Sequence, residues 1–216
     1  MNAPENRVVG RRAKRIEDPA LLKGNGRFCD DLSIPGTLHA AFVRSQYAHA
    51  FIKSVDVSAA REMPGVVAIF TAETITPALT RLRMPLGFPT KALPQDCTPF
   101  VLCPKEACFV GEPIAIVLAE TRAIAEDAVA LVNVDYEPLG VVHDARQVLD
   151  PNAPRTRTEA PNVLTQFRIA YGDTAGVFAK APHVFKESLS QHRGGSHSIE
   201  GRGVIAHFDR MTDGLT

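Results

Sequence analysis

Residues 108–139, CFVGEPIAIVLAETRAIAEDAVALVNVDYEPL, decide the fold. Phe109-Val110 and Ile114 to Ala119 read as two strand pieces joined through Gly111-Glu112-Pro113, since short apolar runs bounded by turn residues suit buried strands. Gly111 permits an unusual backbone angle there and Pro113 presets φ for the next strand, a structural role for the three residues. Thr121 is placed to N-cap a helix running to about Asn133. Ile124, Ala128, Leu131 and Val132 share one face of that helix, while Arg122, Glu126 and Asp127 mostly face water. Val134 to Tyr136 returns as a strand. Strand, helix and strand, with more strands and a second helix around them, predict an α+β fold.

Upstream, TLHAAFVRS from Thr37, AFIKSVDV (50–57) and VVAIFT (66–71) read as strands. Ser58 is placed to cap a short helix, AAREM, that Pro64-Gly65 stops. Residues 76–104 hold Pro77, Pro85, Pro89, Pro94, Pro99 and Pro104, a density that predicts a long irregular excursion and a candidate contact surface. Downstream, PNAPRTRTEAPN (151–162) is polar, proline-rich and aperiodic, and is expected to be a linker. Beyond it TQFRIAYGD and HVFKESLSQH read as strands, with Asp173 capping the helix TAGVFAKA between them. GVIAHFD (203–209) is the last apolar element, with no closing element expected after it. The expected organisation is a basic arm (1–20), a first domain (21–150), the linker (151–162) and an incomplete second α+β domain (163–216). About 55 residues are few for an independent core.

Of the 216 residues, 24 are Lys or Arg and 24 are Asp or Glu, so no net field draws the chain to nucleic acid or an anionic membrane. Runs such as Ile114 to Ala119 are too short to span a bilayer. The opening MNAPENRVVGRRAKR lacks the apolar segment of an export signal, and a cytoplasmic, reduced protein is expected. Cys29, Cys97, Cys103 and Cys108 form no C-x-x-C pair, and the last three are spaced more widely than the ligand pairs of zinc or iron-sulfur loops. His192 and His197, beside Glu200, are separated by glycines that remove a rigid ligand spacing. Gly24-Asn25-Gly26 lacks the strand before and helix after that a phosphate loop needs, and reads as a turn. No Ser-His-Asp set, nucleophile elbow or P-loop lysine is recognisable. The residues alone therefore assign no catalytic, cofactor-binding or metal position.

Several segments, in one order, resemble the amino-terminal part of the molybdenum-cofactor subunit of the xanthine dehydrogenase, aldehyde oxidase and carbon monoxide dehydrogenase family. They are GNGRFCDD (24–31), PGTLHA (35–40), VRSQYAHA (43–50), PGVVAIFT (64–71), VGEPIAIVLAE (110–120), the stretch from Ala125 to VDYEPL (134–139), Tyr171-Gly172-Asp173, and Ile199-Glu200 with Val204-Ile205-Ala206. Within them Ser45, Tyr47, His49, Gly111, Glu112, Pro113, Tyr136 and Glu200 are the family-signature positions, structural by resemblance. The chain departs at Ser45-Gln46, where the family often has Ser-Pro.

The resemblance implies an α/β-hammerhead domain, a mixed sheet with packed helices, followed by the start of the molybdenum-cofactor domain. It implies a molybdenum pterin in the full-length subunit, with iron-sulfur and FAD groups in partner subunits or domains of a hetero-oligomer. The family oxidises an aldehyde, N-heterocycle or carbon monoxide with water-derived oxygen. Its Ser-Thr-Gln and Gly-Gly-Phe-Gly segments and its base glutamate have no counterpart in these 216 residues, so no catalytic, cofactor or metal residue is carried over. This polypeptide alone is expected to be inactive, with packing, funnel-wall and docking roles. The rival readings are a stand-alone hammerhead assembly module and, more weakly, a thiol or metal enzyme using the loop from Cys97 to Cys108.

Overall fold

The computed structural model describes residues 10, 12–85, 97–192, 194–195, 197–198 and 200–216. Most of the basic arm (1–9 and 11), the middle of the proline-rich excursion (86–96), and Arg193, Ser196 and Ile199 lie outside the described residues. The chain divides into a unit spanning Thr37–Val184 and a second built from the described part of residues 1–36 with 185–216.

The centre of the larger unit is β5, Pro113–Ala119, whose PIAIVLA buries Ile114, Ala115, Val117 and Ala119 and leaves the other three residues half-buried. β1 (His39–Arg44) and β3 (Val66–Thr71) pair antiparallel on its two sides, with Ala41 and Ile69 both opposite Val117. Helix α4, Arg122–Ala130, lies on this sheet and buries Ala125 and Ala128. Its alanines let the helix backbone approach the sheet closely. Ala60, Ile69, Val117 and Ala128 form the core there, edged by Val57, Met63, Val66, Val129 and Val132. Thr121 caps α4 as expected, its Oγ1 accepting the Ile124 N–H at 3.2 Å. Gly65 is required beside it: its φ is +86°, and a Cβ would meet Ile124 Cδ1 at 2.7 Å.

A second sheet sets β2 (Ala50–Asp56) between β4 (Glu106–Ala107) and β6 (Asn133–Pro138), all antiparallel. Cys103, Ala107 and Ile114 are its buried core, with Ile52, Val55, Val134 and Tyr136 packed around them.

The structure corrects several expectations. Phe109-Val110 is not a strand but an exposed turn closed by the Glu112 N–H on the Phe109 carbonyl at 3.2 Å; the strand lies earlier, at Glu106–Ala107. Ser58 does not cap a helix: it is the first residue of α2 (Ser58–Arg61), and the Asp56 carboxylate accepts its N–H at 2.9 Å. A short helix α3, Ala72–Ile75, capped by Thr71, follows β3 without having been expected. Helix α4 ends at Ala130 rather than Asn133, which leaves Leu131 exposed. The excursion is closed at its base by Met84 N–H to Pro99 O (2.9 Å) and Val101 N–H to Leu82 O (3.1 Å).

Residues 151–162 are fastened to this unit. The Thr158 N–H and hydroxyl donate to Glu106 at 2.8 and 2.7 Å, and Ala160 is buried. Asp173 caps α5, Thr174–Lys180, by accepting the Gly176 N–H at 2.9 Å. On either side of α5, however, neither TQFRIAYGD nor HVFKESLSQH forms a strand. In the second unit α1, Asp18–Leu22, is followed by a turn at Gly24 and Asn25, and GVIAHFD is a strand only in β7, Phe208–Asp209. β7 pairs with β8, Gly214–Leu215, across a turn that puts Asp213 at φ +53°. Among the described residues no helix is long and apolar enough to cross a membrane.

Candidate functional site

Seven of the eight signature residues meet where the connection from β1 to β2 crosses the turn before β5. The β1–β5 register slips between Val43 and Arg44, which turns the chain out of the ladder at Ser45. Ser45, 2% exposed, donates its N–H to the Glu112 carbonyl at 2.9 Å and accepts the Gly111 N–H at 2.8 Å. Its hydroxyl donates to the Tyr47 carbonyl at 2.8 Å and accepts the Tyr47 N–H at 3.1 Å. Gly111 takes φ +89°, and the Arg44 guanidinium donates to its carbonyl at 2.9 Å. The Pro113 carbonyl accepts the Cys103 N–H at 2.7 Å. The Tyr47 and Tyr136 rings sit 5.0 Å apart at 51°, a tilted contact that aromatic pairs favour. Burial pushes the Tyr136 hydroxyl up, against the lowering effect of its Ser45 contact.

His49 is 5% exposed and has an acceptor at each ring nitrogen: the Gly140 carbonyl 2.8 Å from Nδ1 and Glu106 Oε1 2.7 Å from Nε2. For Glu106 burial acts upward, but the hydrogen bonds from His49 and Thr158 outweigh it and hold the carboxyl below its usual range. Glu112, 2% exposed, goes the other way: burial raises it despite the Cys108 N–H donated to Oε2 at 2.6 Å. Burial, reinforced by Glu112, also pushes the Cys103 thiol up to about 12 and the Cys108 thiol up to about 11. Both are therefore protonated, weak nucleophiles at neutral pH.

Glu200 is the signature residue outside this cluster. It lies in the second unit, where Oε1 accepts the Cys29 N–H at 2.8 Å. Cys97 is half-buried, and His192 and His197 are exposed. Among the described residues no three of His, Cys, Asp and Glu gather as a metal site. Nor does any buried side-chain nitrogen or oxygen among them lack a partner. The hydrogen bonds of Ser45, His49 and Glu112 hold the β1–β2 connection, the turn at 108–113 and the backbone at Gly140 together. Glu106 and Thr158 escaped sequence reading because their partners are 57 and 52 residues distant and no local pattern marks them.

Comparison with known proteins agrees with this architecture. Residues 23–140 match the family model described as aldehyde oxidase and xanthine dehydrogenase, a/b hammerhead domain. The chain is 35% identical to the carbon monoxide dehydrogenase large chain of Afipia carboxidovorans, over 96% of this chain and 26% of that one. It is 37% identical to the nicotine 6-hydroxylase large subunit of Paenarthrobacter nicotinovorans, over 96% and 25% respectively. The crystal structure of quinoline 2-oxidoreductase from Pseudomonas putida 86 superposes with a TM-score of 0.79 at 33% identity, over 94% of this chain and 25% of that one. The chain thus spans about a quarter of the length of these relatives.

Proposed function

The chain belongs to the aldehyde oxidase and xanthine dehydrogenase family through its α/β-hammerhead domain, and on that premise we propose that it is the amino-terminal scaffold of a molybdenum hydroxylase large subunit. In the full complex the remaining part of the subunit holds the molybdenum pterin. Iron-sulfur and FAD partners carry electrons away from an aldehyde, N-heterocycle or carbon monoxide substrate. This polypeptide contributes packing, a wall of the substrate funnel and docking surfaces, and works in the cytoplasm.

One observation carries the reading. On the two sides of α5 the chain runs outside any sheet while presenting large apolar side chains to solvent: Ile169 is 85% exposed, Tyr171 95% and Leu189 92%. Large apolar side chains exposed in that number call for a covering partner. The names of the relatives, a large chain and a large subunit, supply its kind: further polypeptide of a multisubunit oxidoreductase.

The residues present do not fit the molybdenum pterin itself. A pterin is held by many hydrogen bonds, whereas the buried polar side chains of the signature cluster already have partners within the chain. Both cysteines beside the cluster are protonated thiols. No chemical step is therefore assigned to this chain.

The test is purification of the native complex through a tag on the amino terminus, with intact mass of every co-purifying polypeptide and quantification of molybdenum and iron. Molybdenum in step with a longer or second polypeptide is the expected result. A lone 23.4 kDa species without either metal would replace this reading by the stand-alone assembly module.

A further inference from the structure

Apart from the signature cluster, the larger unit contains a cleft of about 1120 Å³ between the base of the proline-rich excursion, β4 and residues 157–160. Small-molecule sites usually measure about 300–1,000 Å³, so this cleft admits a compact ligand with some water. Phe51, Leu82, Phe100 and Ala160 supply its apolar lining. Arg81, Arg83, Lys105 and Arg157 line it as well. Two carboxylates line the cleft against these four cations, and they differ in availability. Glu106 is already engaged by His49 and Thr158, and Glu159 is solvent-exposed.

Two of the arginines are placed as a receptor would place them. The Arg83 guanidinium lies over the Phe100 ring, 3.8 Å from its centroid, and donates to the Thr98 carbonyl at 2.6 Å. One stacked face and one donated hydrogen fix its plane, and among the described residues its side chain donates only to Thr98. Arg157 is half-buried and makes no hydrogen bond or ion pair among the described residues. Both arginines line the same cleft, and the charges of both reach the Cys108 thiol and the Glu112 carboxyl.

We propose that this cleft binds a small organic oxyanion. Its carboxylate or phosphate sits between Arg83 and Arg157, and its ring or other apolar part lies on Phe51 and Phe100. The geometry of a guanidinium fork suits either oxyanion, and paired forks hold one bidentately. This inference stands on the cleft alone and does not depend on the oxidoreductase reading.

The experiment titrates the 216-residue chain by calorimetry with benzoate, phenyl phosphate, acetate, inorganic phosphate and hexaglutamate. Saturable one-site binding of benzoate or phenyl phosphate is expected, and whichever is tighter identifies the oxyanion. Acetate and inorganic phosphate should bind about tenfold more weakly, having no apolar part to place on the apolar lining. Arg157→Gln should weaken the aromatic anion about tenfold, while Arg157→Lys retains most of the affinity. Circular dichroism reports whether each variant is folded. In the unsubstituted chain, amide shifts on benzoate addition should centre on Phe51 and Phe100, a readout that survives an unfolded variant. Absence of saturable binding, shifts centred elsewhere, or equal affinity in a folded Arg157→Gln chain would overturn the proposal. So would arginine-dependent binding of hexaglutamate alone, which would make the cleft a polypeptide groove.

Discussion

Two stretches of this molecule carry similar sequence and reach opposite ends. PIAIVLA in β5 and QFRIAYG at residues 166–172 both read as short strands. In the first, Val117 and Ala119 are fully buried; in the second, Ile169 is 85% and Tyr171 95% exposed, and no strand forms. The difference lies in what each stretch meets. β5 has β1 on one edge, β3 on the other and α4 across its face. The tail meets no second strand among the described residues. Alternation sets which face of a strand is apolar, but a ladder also needs an edge that donates and accepts.

The widest expected contrast is in amide exchange. β5 amides should be protected by the global stability of the unit and those of residues 166–171 hardly at all, a gap of about 4 kcal/mol or a thousandfold in rate. Equal protection would erase the comparison, and tail protection that appears only in the assembled complex would sharpen it.

Side-chain truncation comes next. Ile114→Ala, at 1% exposure, should cost about 3 kcal/mol in urea unfolding, whereas Ile169→Ala should change the isolated chain by less than about 0.5 kcal/mol. In the co-purification experiment the order should reverse, with Ile169→Ala losing the partner and a still-folded Ile114→Ala chain retaining it.

Glu106, half-buried, and Glu112, buried, sharpen the picture within the larger unit. Glu106 is held below its usual range, so its stabilisation is full above the ordinary glutamate value of about 4.3 and is lost as the pH falls through the folded value. Glu112 is raised, so its stabilisation is full below that ordinary value and is lost as the pH rises through the folded value. Glu106→Gln should therefore cost about 2 kcal/mol at pH 7, with the loss shrinking in acid. Glu112→Gln retains an acceptor for the Cys108 N–H and sheds a buried charge, so at pH 7 it should match or exceed the parent stability. Urea midpoints from pH 3 to pH 8 read both, and a shared sign at pH 7 would refute the assignment.

The smallest effects belong to the helix caps. Thr121→Ala should lower the stability of the larger unit by about 1 kcal/mol, because α4 covers the sheet core. Asp173→Ala should leave that unfolding midpoint in place and only reduce helical content locally, since α5 buries no residue. Circular dichroism with the same titration separates the two.

Much of this could be read along the chain. Thr121 and Asp173 announce their helices because a cap is a contact within four residues. VVAIFT and the apolar run from Ile114 to Ala119 announce strands because β-branched and apolar content is local, and Gly111 marks a turn because its backbone angle excludes other residues. The family could be recognised for the same reason, since its segments are short and follow one order. What tertiary structure alone decided was pairing. It made Glu106–Ala107 rather than Phe109-Val110 the third strand of the second sheet, seated His49 on a carboxylate 57 residues away, and fastened residues 151–162 through Thr158. It also left residues 165–173 and 183–192 outside any sheet. A sequence carries the periodicity of each element, but a hydrogen bond between distant residues depends on which edges the collapsed chain brings together, and no local pattern records that.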